Sequence, residues 1–200
     1  MVGIIDYGVG NLFSLQSSIR SLGQEVFVSG DAAELAKADR LILPGVGAFG
    51  DAAEKLRQSG LDSFVCEQAA AGKPLMGICL GMQMLFEKGY EFGETDGLGL
   101  IKGCVKLMEP EGNLAIPHIG WNELEKNEEC PLLAKCGEGE YVYFVHSYAA
   151  ECDSKNVAAY CDYGMKVPAL VFEGNVYGAQ FHPEKSGDTG LNILRCFASL

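Results

Sequence analysis

The sequence predicts an α/β protein: a single domain with an open, mainly parallel sheet that is flanked by helices and extended by antiparallel strands in its second half. Short apolar runs alternate with helical patterns through the first half of the chain, which is typical of parallel sheets. The second half is rich in short β-branched and aromatic runs. A length of 200 residues with 48% apolar residues fits one globular domain over residues 1–200.

The first half of the chain supplies four predicted strands with helices between them. Apolar residues recur at helical spacing over 12–22, where Asn11 fits the N-cap and Gly23 fits the position that ends the helix. A second helical pattern occupies 61–71, directly before the fourth strand. The predicted strands are Val2–Ile5, Glu25–Val28, Arg40–Leu43 and Pro74–Ile78.

The second half is β-rich, and we expect its strands to extend the sheet in antiparallel pairs. Gly174 and Asn175 form a good two-residue hairpin turn between two of them. The glycine-rich stretch Gly89–Gly103 is interpreted as a loop, and Thr189–Ser199 as a closing helix. The predicted strands are Tyr141–Val145, Val157–Cys161, Ala169–Glu173 and Val176–Phe181.

Composition narrows the classes of function. A net charge of −12 argues against binding to nucleic acid or to an anionic membrane, because both need clustered Lys and Arg. The N-terminus has no basic region and only a short apolar run, so we expect neither a signal peptide nor a membrane span, and a cytoplasmic location. The eight cysteines include no CxxC pair, so neither a structural metal nor disulfides are expected.

One cysteine stands where the fourth strand passes into a helical pattern that continues to Phe86. Gly77 and Gly81 flank Cys79 in the layout of a nucleophile elbow, since glycine permits the sharp turn and leaves room for a substrate at the sulfur. The start of a helix also favours the reactive thiolate. Gln83 lies four residues further on, on the same helical face and within reach of a substrate. Taken alone, the motif is equally compatible with a buried cysteine in a glycine-containing turn.

A cysteine nucleophile needs a base and a group that orients the base, and the chain has three histidines. His182 ends an apolar strand, where sites on parallel sheets open. Pro183 favours an extended conformation for His182, so Glu184 points the same way and can hold one ring nitrogen. A lone histidine is more often a hydrogen-bonded core residue. The strand end, the His-Pro-Glu segment and the elbow together favour a triad of Cys79, His182 and Glu184.

A second glycine-rich turn, Leu43–Asp51, also follows a strand and precedes a helix. It lacks the Gly-Lys-Ser/Thr ending of a phosphate loop, and a nucleotide site would also require an acidic residue at the right distance. A better assignment is the supply of backbone N–H groups to a tetrahedral oxyanion. The predicted donors are Val46 in this turn and Leu80 after the cysteine.

These segments resemble the class I, or triad-type, glutamine amidotransferases. The cysteine segment matches their Gly-x-Cys-x-Gly-x-Gln pattern, and the histidine segment matches their His-Pro-Glu. Further segments resemble the branch of that family that serves imidazole glycerol phosphate synthase in histidine biosynthesis, and the resemblance covers essentially the whole chain. Those segments are Pro44–Asp51, Pro117–Asn122, Tyr143–Tyr148 and His182–Ser186.

The resemblance implies a glutaminase that forms a thioester on Cys79, needs no metal or cofactor, and passes ammonia to a cyclase subunit within a heterodimer. His118 and His146 belong to no catalytic set, and packing or interface roles suffice for them. Contacts to the substrate glutamine are implied for Gly45, Gly47, Gln83, Ser147 and Tyr148, and positions facing the cyclase subunit for Asn11, Trp121, Tyr143 and Lys185.

Three alternatives stay open at this point. The first is a glutaminase of the same class that serves another synthase, such as one making vitamin B6, anthranilate or a nucleotide. The second is a cysteine peptidase on a similar scaffold, for which Gln83 and a peptide groove are the features to compare. The third is a non-catalytic binding module, against which the joint presence of Cys79, His182 and Glu184 argues.

Overall fold

The computed structural model describes residues 1–200 and confirms the predicted α/β class. None of its helices has the length and apolar character needed to cross a membrane. The helices are α1 (Leu12–Ser21), α2 (Ala32–Leu35), α3 (Phe49–Gln58), α4 (Leu61–Ala70), α5 (Leu80–Gln83) and α6 (Gly187–Phe197). The strands are β1 (Val2–Ile5), β2 (Val26–Ser29), β3 (Arg40–Gly45), β4 (Leu75–Cys79), β5 (Phe86–Gly89), β6 (Thr95–Asp96), β7 (Ile101–Leu107), β8 (His118–Glu123), β9 (Glu125–Lys126), β10 (Tyr141–His146), β11 (Tyr148–Glu151), β12 (Val157–Asp162), β13 (Lys166–Glu173) and β14 (Val176–Ala179).

Eight strands form the central sheet in the order β2-β1-β3-β4-β14-β13-β12-β9. The first five strands in this order, from β2 through β1, β3 and β4 to β14, run parallel to one another. Strands β13, β12 and β9 continue the sheet beyond β14, each antiparallel to the strand before it. The four strands predicted for the first half are all present. The expectation of antiparallel pairing is incomplete for β14, because this strand also lies parallel to β4, with Ala179 opposite Ile78.

The remaining strands form two smaller sheets that the sequence did not indicate. Strands β11, β7, β5 and β6 form a four-stranded sheet, so the interpretation of Gly89–Gly103 as a loop is wrong. That stretch contains β6 and the start of β7, which are too short and too rich in glycine and charge to show a strand period. Strands β8 and β10 form a separate pair, called the ribbon below, so Tyr141–Val145 does not extend the central sheet as predicted.

Apolar clusters fill both faces of the central sheet and explain where the smaller sheets dock. On one face, Leu15 of α1 and Phe197 of α6 share a cluster with Phe144 of the ribbon. On the other face, Leu56 of α3 shares a cluster with Phe86 of the four-stranded sheet. All five side chains are at most 1% exposed, and burying each contributes about 2 kcal/mol. The ribbon is therefore held by its own inward aromatic residue, without pairing to the central sheet.

Candidate functional site

The carboxyl ends of β3, β4 and β14 lie at one edge of the central sheet, where the sites of parallel sheets open. A cavity of about 390 Å³ lies there, which is within the usual size of a small-ligand site. The predicted site residues that line it are Asn11, Val46, Gly47, Cys79, Leu80, Gln83, Ser147, Tyr148, His182 and Lys185. Those that do not line it are Gly45, Trp121, Tyr143 and Glu184.

Cys79 ends β4 and begins a sharp turn. Its φ of 55° and ψ of −114° lie outside the regions that residues other than glycine usually adopt, so the turn stores backbone strain. The helix after it, Leu80–Gln83, is only four residues long, and β5 begins at Phe86, so the predicted helical pattern to Phe86 is wrong. Phe86 is buried in the apolar cluster that it shares with Leu56, and this packing overrides the local helical preference. A helix of four residues has only a weak dipole, so it contributes little to stabilising a thiolate at Cys79.

Three glycines let the elbow cross β3 at very short range. A Cβ on Gly77 would lie 2.5 Å from the carbonyl oxygen of Gly81, and one on Gly81 would lie 1.9 Å from that of Leu43. Each obstacle is backbone, which cannot move aside as a flexible side chain can. A Cβ on Gly45 would lie 2.6 Å from the backbone nitrogen of Gly81. Gly45, a predicted contact to glutamine, is therefore packed against the elbow and lies outside the cavity lining.

His182 follows β14 and reaches Cys79 across the edge of the sheet. The two side chains line the same cavity, and Nδ1 of His182 lies 2.8 Å from Oε1 of Glu184. The His182 and Glu184 side chains are 5% and 3% exposed. Burial lowers the pKa of His182, but the hydrogen bonds and negative charges of Cys79 and Glu184 outweigh burial and raise this pKa from 6.5 to about 9. The ring of His182 is therefore held in its protonated form between the side chains of Cys79 and Glu184.

Val46 and Leu80, the predicted donors to an oxyanion, both line the cavity beside Cys79. Strands β3 and β4 are paired up to Gly45 and Cys79, so the two segments that carry these donors leave the sheet side by side. Gly47 also lines the cavity with a φ of 93°, which only glycine adopts readily. The turn after β3 therefore brings backbone, with no bulky side chain at Gly47, to the same part of the cavity as the thiol.

Gln83 is buried, and its amide nitrogen already has protein partners. Its Nε2 donates to the backbone oxygen of Tyr148 and to Oε1 of Gln180, each at 3.0 Å. The helical spacing of Cys79 and Gln83 predicts that this amide reaches a substrate over the sulfur. In the structure the amide nitrogen instead ties α5 to the cavity wall that Ser147 and Tyr148 form.

His118 and His146 form a buried hydrogen-bonded pair beside that wall. Burial lowers the pKa of both rings to about 4, so both are neutral at pH 7. Nδ1 of His146 lies 2.9 Å from the backbone oxygen of Tyr148 and therefore carries the proton. Its Nε2 then accepts from Nδ1 of His118 at 3.1 Å, and Asn122 donates to Nε2 of His118 at 3.4 Å. His146 also lines the cavity, whereas only a packing or interface role was predicted for it from the sequence.

The outer face of the ribbon presents aromatic side chains. Trp121 is 56% exposed and lies opposite Tyr143 in the pairing of β8 with β10, with ring centroids 6.0 Å apart. Nζ of Lys185 lies 5.9 Å from the centre of the Tyr143 ring, at a cation–π distance. Lys185 and Asn11 also line the cavity. The four residues predicted to face a partner thus lie around the cavity and on the adjoining ribbon.

Two further side chains near the site carried no signal in the sequence. Glu91, between β5 and β6, lines the cavity, and its Oε2 accepts from the backbone N–H of Phe49 at 2.7 Å. Tyr7, after β1, donates its hydroxyl to the backbone oxygen of Pro44 at 2.8 Å. Burial and the charge of Cys79 raise the pKa of Tyr7, so it stays protonated. No group of three or more His, Cys, Asp or Glu is arranged to hold a metal ion.

Comparisons with known proteins agree with one another over nearly the whole chain. The model of the family described as glutamine amidotransferase class-I matches residues 3–198. The chain is similar to the imidazole glycerol phosphate synthase subunit HisH of Oceanobacillus iheyensis, with 47% identity over 100% of this chain and 99% of that protein. It is also similar to the subunit of the same name from Lactococcus lactis subsp. lactis, with 50% identity over 97% of this chain and 96% of that protein.

A solved structure gives the same fold at lower sequence identity. The structure of PurLQS from Thermotoga maritima matches this one with a TM-score of 0.78 and 22% identity, over 99% of this chain and 97% of that chain. At this identity the likeness shows the fold alone.

Proposed function

Since the chain belongs to the class-I glutamine amidotransferases, we propose that it is the glutaminase subunit of imidazole glycerol phosphate synthase. It hydrolyses glutamine to glutamate and ammonia for the cyclase subunit of that enzyme. The observation that carries the proposal is the arrangement of Cys79, His182 and Glu184 at the edge of the central sheet. A thiol nucleophile, a histidine beside it and a carboxylate that orients the histidine are the groups that nucleophilic cleavage of an amide requires.

In the first half-reaction, the Cys79 thiolate attacks the side-chain amide carbon of glutamine. The carbonyl electrons move to oxygen, where the backbone N–H groups of Val46 and Leu80 stabilise the oxyanion. His182, which is protonated at neutral pH because its pKa is about 9, gives its proton to the departing ammonia. The C–N bond breaks and a glutamyl thioester remains on Cys79.

In the second half-reaction, water hydrolyses the thioester. Neutral His182 takes a proton from the attacking water, the C–S bond breaks, and glutamate leaves while the thiolate is restored. Glu184 holds Nδ1 of the ring at 2.8 Å, so Nε2 is the nitrogen that exchanges protons with substrate and water. The same contact stabilises the imidazolium in both half-reactions.

The cavity wall offers partners for the polar groups of glutamine. One oxygen of Glu91 is engaged by the backbone N–H of Phe49, which leaves the other for the α-ammonium group. Gly47, Ser147 and Tyr148 are the proposed contacts to the remaining glutamine atoms. Gln83 lines the cavity and is also a proposed contact to glutamine, whereas Gly45 acts on the substrate indirectly, through the elbow against which it packs.

The cyclase subunit is proposed to dock on the outer face of the ribbon and the adjoining residues Asn11 and Lys185. Aromatic side chains at the surface, such as the exposed Trp121 and the half-buried Tyr143, are typical of protein interfaces. Because these residues adjoin the cavity, ammonia released at Cys79 has a short path to a partner seated there. Free ammonia is mostly protonated at neutral pH and no longer nucleophilic, so an enclosed path is chemically advantageous.

The experiment mixes the protein with a purified cyclase subunit and supplies amide-labelled glutamine in excess unlabelled ammonium. We expect the label to enter imidazole glycerol phosphate with little dilution. Cys79→Ala and His182→Ala should abolish ammonia release, whereas Glu184→Gln should retain part of it, since an orienting group is partly replaceable. Cys161→Ala, which removes a fully buried thiol in β12, is the matched control and should remain active.

Each alternative has its own outcome in this assay. An unimpaired His182→Ala variant would contradict the triad. Ammonia release without transfer to this cyclase, together with transfer to another synthase, would assign the chain to that synthase. Cleavage of peptides in place of glutamine would identify a cysteine peptidase.

A further inference from the structure

Ser186 occupies the N-cap position of α6 but does not cap that helix. Serine is favoured at an N-cap because its hydroxyl accepts a hydrogen bond from a backbone N–H of the first turn. Ser186 makes no such bond. The residue is 1% exposed, and its hydroxyl points back to the segment that carries His182.

The Ser186 hydroxyl joins the backbone of His182 to the ribbon. It donates to the carbonyl oxygen of His182 at 2.6 Å and accepts from the backbone N–H of Tyr143 at 3.0 Å. The N–H of His182 donates directly to the backbone oxygen of Tyr143, also at 3.0 Å. Both backbone groups of His182 are therefore tied to one residue of β10, one of them through Ser186.

Loss of this hydroxyl would leave the N–H of Tyr143 without its partner, while the carbonyl of His182 would keep only the bond from the backbone N–H of Lys185, at 2.9 Å. A single hydrogen bond to β10 would remain, which fixes a distance but not the orientation of the His182 backbone. In one orientation, the imidazole must direct Nδ1 to Glu184 and its other ring nitrogen to the reacting atoms at Cys79. Small errors in such geometry reduce rates steeply.

We propose that Ser186 is a positioning residue that fixes His182 to the ribbon and so holds its imidazole at Cys79. The inference rests on the proposed function and deepens it. Strand β10 carries the Tyr143 side chain on the face where the cyclase subunit is proposed to dock. The base and the docking surface are thus parts of one hydrogen-bonded unit.

The test compares Ser186→Ala with Thr189→Val, each in the complex with the cyclase subunit. Thr189 is also buried at the start of α6, but its hydroxyl bonds Glu140 and not the His182 segment. Both variants therefore lose a buried hydroxyl from the same turn. We expect Ser186→Ala to lower kcat by about 10- to 100-fold, with KM for glutamine within about twofold, and Thr189→Val to keep kcat within about twofold.

A second variant decides the question if Ser186→Ala does not fold. Ser186→Cys keeps a side chain of similar shape with a weaker donor and acceptor, and its kcat should lie between those of the parent and the alanine variant. Parental kcat in either variant would overturn the inference, and so would an equal loss in Thr189→Val, which would indicate general loosening of α6. A parent complex that releases no ammonia from glutamine would reject the proposed function instead.

Discussion

Removing the Cys79 thiol should lower the pKa of His182. Burial lowers this pKa, but the hydrogen bonds and charges of Cys79 and Glu184 outweigh burial and bring it to about 9. In Cys79→Ala, burial and Glu184 remain while the contribution of the thiolate is lost. A neighbouring opposite charge moves a pKa by about 1 to 3, so we expect His182 to titrate roughly 1 to 2 pH units lower. This change corresponds to about 1.4 to 2.7 kcal/mol.

The same pKa determines how the stability of the fold depends on pH. The folded-state pKa of His182 lies above its ordinary value of 6.5, so protonation of this ring stabilises the folded protein. The contribution is complete below pH 6.5 and is lost as the pH rises through about 9. The difference between the two pKa values corresponds to about 3 kcal/mol. In Cys79→Ala the contribution should be smaller, and its loss should finish at a lower pH.

NMR can follow His182 without interference from the other histidines. Burial lowers the pKa of His118 and His146 to about 4, so a single Hε1 resonance should move at neutral and alkaline pH. Cys161→Ala, which removes a buried thiol elsewhere, should leave the pKa of His182 at about 9. An unchanged His182 pKa in Cys79→Ala would refute the coupling of base and thiolate, and so would an equal decrease in Cys161→Ala.

Three further predictions concern the thiol, the elbow and the histidine pair. A diazo-ketone analogue of glutamine should label Cys79 and none of the other free cysteines; peptide mapping that finds the label elsewhere, with Cys79 unmodified, would remove the nucleophile. Gly81→Ala should cost about 3 kcal/mol or more in urea denaturation and abolish activity, because its Cβ would lie 1.9 Å from a backbone oxygen. Gly23→Ala, with φ of 73° in open space, should cost about 1 to 2 kcal/mol, and equal losses would contradict the steric argument. In ¹⁵N spectra at pH 7, His118 and His146 should both be Nδ1–H tautomers, and an Nε2–H signal from either would contradict the order of their hydrogen bonds.

Features that lie within one short segment could be predicted from the sequence. The spacing of glycines in Gly77–Gly81 has a steric cause that acts wherever a strand turns this sharply beside another backbone. His182 and Glu184 are two residues apart across a proline, and the local preference for extended backbone places both side chains on one side. Apolar runs such as Val2–Ile5 and Arg40–Leu43 likewise identify strands that are buried on both faces.

Features that depend on contacts between distant segments could not be predicted from the sequence. His146 reaches the cavity because β10 pairs with β8 and the chain then passes through Ser147 into the four-stranded sheet. Pairing of this kind depends on packing against the whole molecule, not on the residues of either strand alone. Glu91 reaches the cavity from a hairpin whose short strands have no period. The helix predicted after Cys79 is present but ends at Gln83 for the same reason, since the burial of Phe86 decides how the segment continues.

Strand β14 is the last strand of the chain, yet it lies inside the central sheet between β4 and β13. During synthesis on the ribosome, the strands up to Cys79 emerge first, whereas Val176–Ala179 and His182 emerge near the end. An unfinished copy therefore carries the nucleophile without its base, and the site in which glutamine would bind lacks one wall. We therefore expect no glutamine turnover by a nascent chain before Val176–Ala179 and His182 have been added.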